Sequence, residues 1–211
     1  MLTARGGTHQ FSPDESGLTL VELLVVLVIV GVATAIATAT MIDSLGATRR
    51  ADERIQALTE VQTASRRLTR EIRVADGAAY PATADGEILV GDSDEIQVDV
   101  YRAGTRIRFR YYTATVGGVE VLREQQTVFS PPTSSSGAVG TARTVVERLA
   151  NGSNGTPVFV YLTEDGVTAP DGDGDGSPEE VARVQITLVR ALPEQSDITI
   201  DTAVGLRNAR G

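Results

Sequence analysis

Residues 18–39, LTLVELLVVLVIVGVATAIATA, form an apolar run whose single charge is Glu22. As a helix rising ~1.5 Å per residue the run spans ~33 Å, enough to cross a bilayer core. Valine and isoleucine are abundant in it, yet a backbone in lipid must satisfy its own hydrogen bonds, which favours helix over strand. Beyond Asp43 the pattern turns amphipathic. Ile55, Leu58, Val61, Leu68, Ile72 and Ala75 recur at spacings of three and four, with Ser65 completing the series. Arg66, Arg67, Arg70, Glu71 and Arg73 fall largely between them. No proline occurs between Pro13 and Pro81, and Asp76-Gly77 offers a stop with glycine at the C′ position. The pattern predicts one long helix over 18–76, about 85 Å by its rise, with 18–39 in the membrane and Gly31 and Gly46 as points of bending. The alternative is two helices broken near Gly46.

Past residue 77 the period falls to two. Residues 94–113, DEIQVDVYRAGTRIRFRYYT, read as a hairpin turning at Ala103-Gly104. That loop sets Val100 opposite Ile107, Val98 opposite Phe109 and Ile96 opposite Tyr111, with Asp99 opposite Arg108 on the other face. Gly118–Glu124, Thr156–Leu162, Glu180–Leu192 and Asp197–Leu206 are further strand candidates. Ser130–Gly140 reads as a mobile low-complexity loop, and Asn151–Gly155 as a turn with two Asn-Gly pairs. A long helix followed by a run of strands gives an α+β class: a helix packed on an antiparallel sheet.

Composition narrows the chemistry. The chain has no cysteine, its 19 basic residues are all arginine, and His9 is its one histidine. Cysteine nucleophiles, Schiff-base lysines and zinc sites built on His or Cys are therefore excluded. The formal net charge is −9. Residues 77–211 hold eleven arginines against nineteen acids, net −8, whereas 18–76 hold seven of each, net 0. A head of that sign repels a phosphate backbone, so nucleic acid is not an expected partner. The stripe Arg106, Arg108 and Arg110 reads as the polar face of a strand, partly neutralised across the hairpin.

Three readings of the apolar run remain: a plain membrane anchor, a secretory signal peptide with Ala-x-Ala cuts ending at Ala37 or Ala39, and a processed filament subunit. Against a signal peptide, the preceding region is not basic and the apolar core exceeds the usual length. The residues around Glu22 carry the third reading. Gly17-Leu18-Thr19-Leu20-Val21-Glu22-Leu23-Leu24-Val25-Val26 resembles the prepilin cleavage and methylation motif of type IV pilins and type II secretion pseudopilins.

The resemblance implies a pilin-like fold, with residues 1–17 a leader, 18–76 the helix and 77–211 the β-rich head. It implies cleavage after Gly17 by a prepilin peptidase, N-methylation of Leu18, and a Glu22 that neutralises a neighbouring subunit's N-terminal amine during assembly. Two charges in an apolar filament core are tolerable only as a pair. Two features depart from the family. Pro13-Asp14-Glu15-Ser16 replaces a basic stretch before the glycine, and Ala39 stands where major pilins usually carry proline, which points to a minor subunit. Gln62–Arg73 and Leu206-Arg207-Asn208 are similar to segments of the J-type minor pseudopilins.

The expected function is that of a structural, non-enzymatic subunit of a type IV pilus or type II secretion filament. It would lie first in the inner membrane, N-terminus inside and head outside, among lipid, and then pack on other pilins or pseudopilins through its N-terminal helix. The rival class is an exported or anchored β domain acting on a carbohydrate through paired carboxylates. One metal candidate remains. Asp171-Gly172-Asp173-Gly174-Asp175-Gly176 matches the first half of a calcium loop, with Asp171, Asp173 and Asp175 as oxygen ligands. Ala182 stands where the bidentate glutamate of such a loop would fall, and the plain alternative is an exposed acidic turn.

Overall fold

The computed structural model describes residues 19–75, 88–163, 165–168 and 181–206. The chain divides into two compact units, Met1–Arg49 and Arg50–Gly211. Helix α1 runs as one element from Leu20 to Ala75, so the alternative break near Gly46 does not occur. Asp76-Gly77, the expected stop, lies outside the described residues.

In the first unit the apolar residues of α1 are exposed on every side. Relative exposures run from 48% at Val25 to 82% at Leu20, with no polar face between them. The threonines of this segment return their hydroxyls to the helix. Thr34 donates to the Val30 carbonyl and Thr38 to the Thr34 carbonyl, each at 2.8 Å. That bond hides a polar group from an apolar surrounding.

The second unit joins the rest of α1 to nine strands. Strands β1 (Ile88–Gly91), β2 (Glu95–Arg102), β3 (Thr105–Val116), β4 (Val119–Phe129) and β5 (Ala138–Val139) form one antiparallel sheet in that order, and β6 (Arg143–Val146) also pairs β4. A second antiparallel sheet holds β7 (Phe159–Leu162), β8 (Arg183–Arg190) and β9 (Ile198–Gly205). A single turn of helix, α2 (Asn151–Asn154), replaces the turn expected there.

One hydrophobic core joins α1 to both sheets. Val61, Ala64, Leu68 and Ile72 meet Ile96, Val98, Phe109, Tyr111 and Leu122 of the larger sheet, and Phe159, Val184, Ile186 and Leu188 of the smaller. Val61, Ser65, Leu68 and Ile72 of the expected helix face are buried, and the face departs from the expectation only toward its N-terminal end. Ile55 is 63% exposed and Leu58 40%, while Ala57 and Ala64 are buried. Full burial of a residue such as Leu68 contributes about 1.5–3 kcal/mol.

The β2–β3 hairpin has the expected register: Val100 faces Ile107, Val98 faces Phe109, Ile96 faces Tyr111 and Asp99 faces Arg108. Its two turn residues, Ala103 and Gly104, have φ of 49° and 78°. Positive φ at both positions matches the right-handed twist of the flanking strands. The segment read as a mobile loop is instead tied down. Ala138–Val139 pairs with β4, and Arg106 Nη2 donates to the Ser134 carbonyl at 2.7 Å. Strand β6 was not foreseen either, because two- and four-residue strands carry too short a pattern to show a period.

Three polar anchors fix α1 on the sheets. Glu60 accepts the Glu147 N–H and pairs with Arg190 Nε at 2.9 Å. Arg67 Nη2 reaches Glu124 at 2.8 Å. Buried Glu71 takes Arg70 at 3.1 Å and Arg102 at 2.8 Å. Glu71 and Glu124 are each 1% exposed, and a carboxylate at that depth persists only when paired and hydrogen-bonded. The α+β expectation, a long apolar N-terminal helix with an antiparallel head, is thus met.

Candidate functional site

The first turn of α1 is built around Glu22. Thr19 precedes the helix, and its backbone N–H and Oγ1 both donate to Glu22 Oε2 at 3.1 Å. The Glu22 N–H returns a bond to Thr19 Oγ1 at 3.2 Å. This is a reciprocal capping box, in which N-cap and third helical residue satisfy each other's free donors. The negative charge also lies at the positive end of the helix dipole. Sequence reasoning singled out Glu22 for its rarity in an apolar run and missed this local role, although Thr-x-x-Glu before an apolar run is its signature.

The geometry leaves Glu22 chemically available. Its side chain is exposed, and both Thr19 donors meet the same oxygen. Among the described residues nothing donates to Oε1, so one carboxylate oxygen can accept a further donor such as an ammonium. Gly17 and Leu18, the expected cleavage and methylation positions, lie outside the described residues. So do Asp171, Asp173 and Asp175 of the expected calcium loop. Among the described residues no group of three or more acidic or histidine side chains is placed to hold a metal.

The arginine stripe of β3 is engaged within the sheet. Arg108 makes two bonds to Asp99, at 2.8 and 3.0 Å, and Arg110 makes two to Glu95, at 2.7 and 2.6 Å. Arg106 lies 4.0 Å from the centroid of the Phe129 ring and Arg110 4.4 Å from that of Tyr112. The Arg110 hydrogen bond holds the Glu95 carboxyl below its usual range and raises the guanidinium in turn. Burial pushes the Tyr111 and Tyr161 hydroxyls well above the ordinary tyrosine value. The neutralisation expected across the hairpin is present, and it extends to both Asp99 and Glu95.

The family described as the prokaryotic N-terminal methylation motif matches residues 13–38. The matched segment contains Gly17, Leu18, Thr19 and Glu22 and the first half of the apolar helix. No curated protein and no solved structure matches the chain. The chain therefore carries the N-terminal signature of type IV pilin-like proteins, on an α+β fold consistent with theirs. Proteins with this motif are structural subunits rather than enzymes, and the exposed apolar helix fits an anchor in the inner membrane.

Proposed function

We propose that the chain is a minor pilin or pseudopilin, a subunit of a type IV pilus or type II secretion filament. The observation that carries this reading is the methylation motif at 13–38 coinciding with an exposed apolar helix whose first turn presents Glu22. In the proposed sequence of events α1 holds the precursor in the inner membrane, with its N-terminus inside. Prepilin peptidase cuts after Gly17 and transfers a methyl group from a sulfonium methyl donor to the amine of Leu18, leaving the donor as a thioether and releasing one proton. The free Oε1 of Glu22 then takes the Leu18 ammonium of a neighbouring subunit as the helix leaves lipid for the filament core. Hydrolysis of the peptide bond after Gly17 consumes one water and leaves a carboxylate on the leader and an amine on the subunit.

Two features favour a minor subunit. Ala39 occupies the place where proline usually bends a major pilin, and α1 continues through it as helix. The J-type minor pseudopilins are the proposed subgroup, on the likeness of residues 62–73. The rival readings differ in the mature N-terminus, so mass spectrometry of the protein from a host with active prepilin peptidase decides among them. N-methylated Leu18 is expected. A start at or near Thr40 would make the run a signal peptide, and an intact Met1 would make it a plain anchor.

A further inference from the structure

Strand β9 is the outer strand of the smaller sheet, and among the described residues its far edge is unpaired. The register pairs Arg183 with Gly205 and Arg190 with Ile198. The Leu206 N–H donates to the Ala182 carbonyl at 2.8 Å, in phase with that register. The even-numbered residues of β9 thus turn their N–H and C=O groups toward β8. Thr199, Asp201, Ala203 and Gly205 turn theirs outward, and all four are exposed. Among the described residues no backbone group pairs with them. The edge runs without a bulge and carries no proline, and its one charged side chain, Asp201, is held by Gln185 Nε2 at 3.0 and 3.1 Å and Thr187 Oγ1 at 3.3 Å.

A groove of about 390 Å³ lies beside this edge, between β9 and the last turns of α1. Thr202 forms its strand wall, and Arg66, Thr69, Arg70, Arg73 and Val74 form its helix wall. Ser65 Oγ bonds Thr202 Oγ1 at 3.2 Å across its floor. Thr69 Oγ1 is buried and has no hydrogen-bond partner among the described residues. The three arginines fall at spacings of four and three, so they share one stripe. Arg66 and Arg73 form no ion pair with a described residue, and Arg70 meets Glu71. Like charges at these spacings work against the helix that carries them, and no described acid offsets Arg66 or Arg73.

We propose that β9 and this groove form a docking site for an extended acidic segment of a partner protein. The segment adds an antiparallel or parallel strand to β9 through the outward groups of residues 199–205. Its alternate side chains turn into the groove, where carboxylates meet Arg66, Arg70 and Arg73. Two alternate steps along a strand cover ~13 Å and Arg66 to Arg73 rises ~10.5 Å along the helix, a difference that the long arginine side chains can span. The positive stripe selects an acidic occupant; Glu95 and Asp99 of this chain already pair with Arg110 and Arg108, and a second copy offering another acidic segment is an outcome of the test. The inference goes beyond subunit processing and does not depend on it.

The test uses the full chain in detergent and a synthetic peptide alternating glutamate with threonine and valine. A second peptide carries lysine at the glutamate positions. Residue-resolved hydrogen exchange reads the amides of Thr199, Asp201, Ala203 and Gly205. Fast exchange is expected in the free protein, slowed by the glutamate peptide and unchanged by the lysine peptide. Arg66→Glu with Arg73→Glu, both at exposed positions, should weaken peptide binding by at least about tenfold without altering exchange elsewhere in the sheets. Ala203→Pro removes one outward donor while leaving the β8 ladder intact, and should weaken binding independently. Slow exchange of the four amides in the free monomer would mean that the chain covers its own edge, and would overturn the proposal. Protection that grows with protein concentration alone would make a second copy the occupant. Equal binding of the lysine peptide, or displacement of the glutamate peptide by millimolar inorganic phosphate, would also overturn it.

Discussion

Replacing Glu124 tests whether polar anchors hold the helix to the head. The side chain is 1% exposed and accepts from three donors: Arg67 Nη2 at 2.8 Å, Gln126 Nε2 at 2.6 Å and Arg143 Nη2 at 2.8 Å. Glu124→Gln preserves shape but turns an amide toward one arginine. Arg143 is 52% exposed and can move to water, so its loss costs at most about 1 kcal/mol. Arg67 is 26% exposed, and its bond falls from charge-assisted to neutral, which costs about 1–1.5 kcal/mol. The sum is about 2 kcal/mol, or a Tm lowered by roughly 4–8 °C for a unit of this size. Glu124→Leu removes every acceptor and strands a half-buried guanidinium, at about 3–5 kcal/mol. Arg143→Ala should cost no more than about 1 kcal/mol. The assay is thermal unfolding of the full chain in detergent, followed by near-ultraviolet tyrosine dichroism, since Tyr111 faces Glu124 across the β3–β4 ladder. The order Leu, Gln, Arg143→Ala is the signature. Glu124→Gln within about 0.5 kcal/mol of wild type would refute the reasoning, as would an Arg143→Ala as damaging as Glu124→Leu. Arg67→Met combined with Glu124→Leu should cost less than the sum of the two, because no charge is then left alone.

The two roles of Glu22 separate genetically: Thr19→Val removes the cap hydroxyl, at about 0.5–2 kcal/mol of helix stability, yet should leave filament incorporation in place. Glu22→Ala should abolish incorporation, and equal loss from both, scored by immunoblot of sheared filaments, would mean that capping is all Glu22 does. Asn151 is buried and bonds the carbonyls of Thr156 and Thr187 and the N–H of Val189. Asn151→Ala should cost about 2–4 kcal/mol in denaturant unfolding by leaving those backbone groups unpaired, and a loss under about 1 kcal/mol would contradict that. The Glu95 carboxyl titrates lower folded than unfolded, so its stabilisation is present above the unfolded value and fades as pH falls through the folded one. Glu95→Gln should flatten the acid limb of the stability curve, and an unchanged limb would argue against the Arg110 pairing.

The apolar run of 18–39 determined its own helix, because a segment that must satisfy its backbone internally has one local solution. The prepilin-type motif around Gly17 and Glu22 was equally legible, since its residues are adjacent in the chain. The β2–β3 register was too, because a two-residue turn and a period of two leave a single alignment that buries Ile96, Val98 and Val100 together. What the sequence could not supply was every feature that depends on two distant segments meeting. The inward stripe of α1 was legible at Val61, Ser65, Leu68 and Ile72, but the burial of Ala57 and Ala64 in place of Ile55 and Leu58 was not, because it depends on where the sheets lie. Short strands such as β5 and β6 exist because β4 offers them a ladder, and not because their own residues specify one. The anchors Glu60–Arg190, Arg67–Glu124 and Glu71–Arg102 join residues 31 or more positions apart. So does the groove in which Arg66 and Arg73 stand beside the outer edge of β9. Local periodicity encodes an element and its apolar character; the packing of one element on another decides which polar groups lose water together, and that is where this protein's anchors and its docking groove arise.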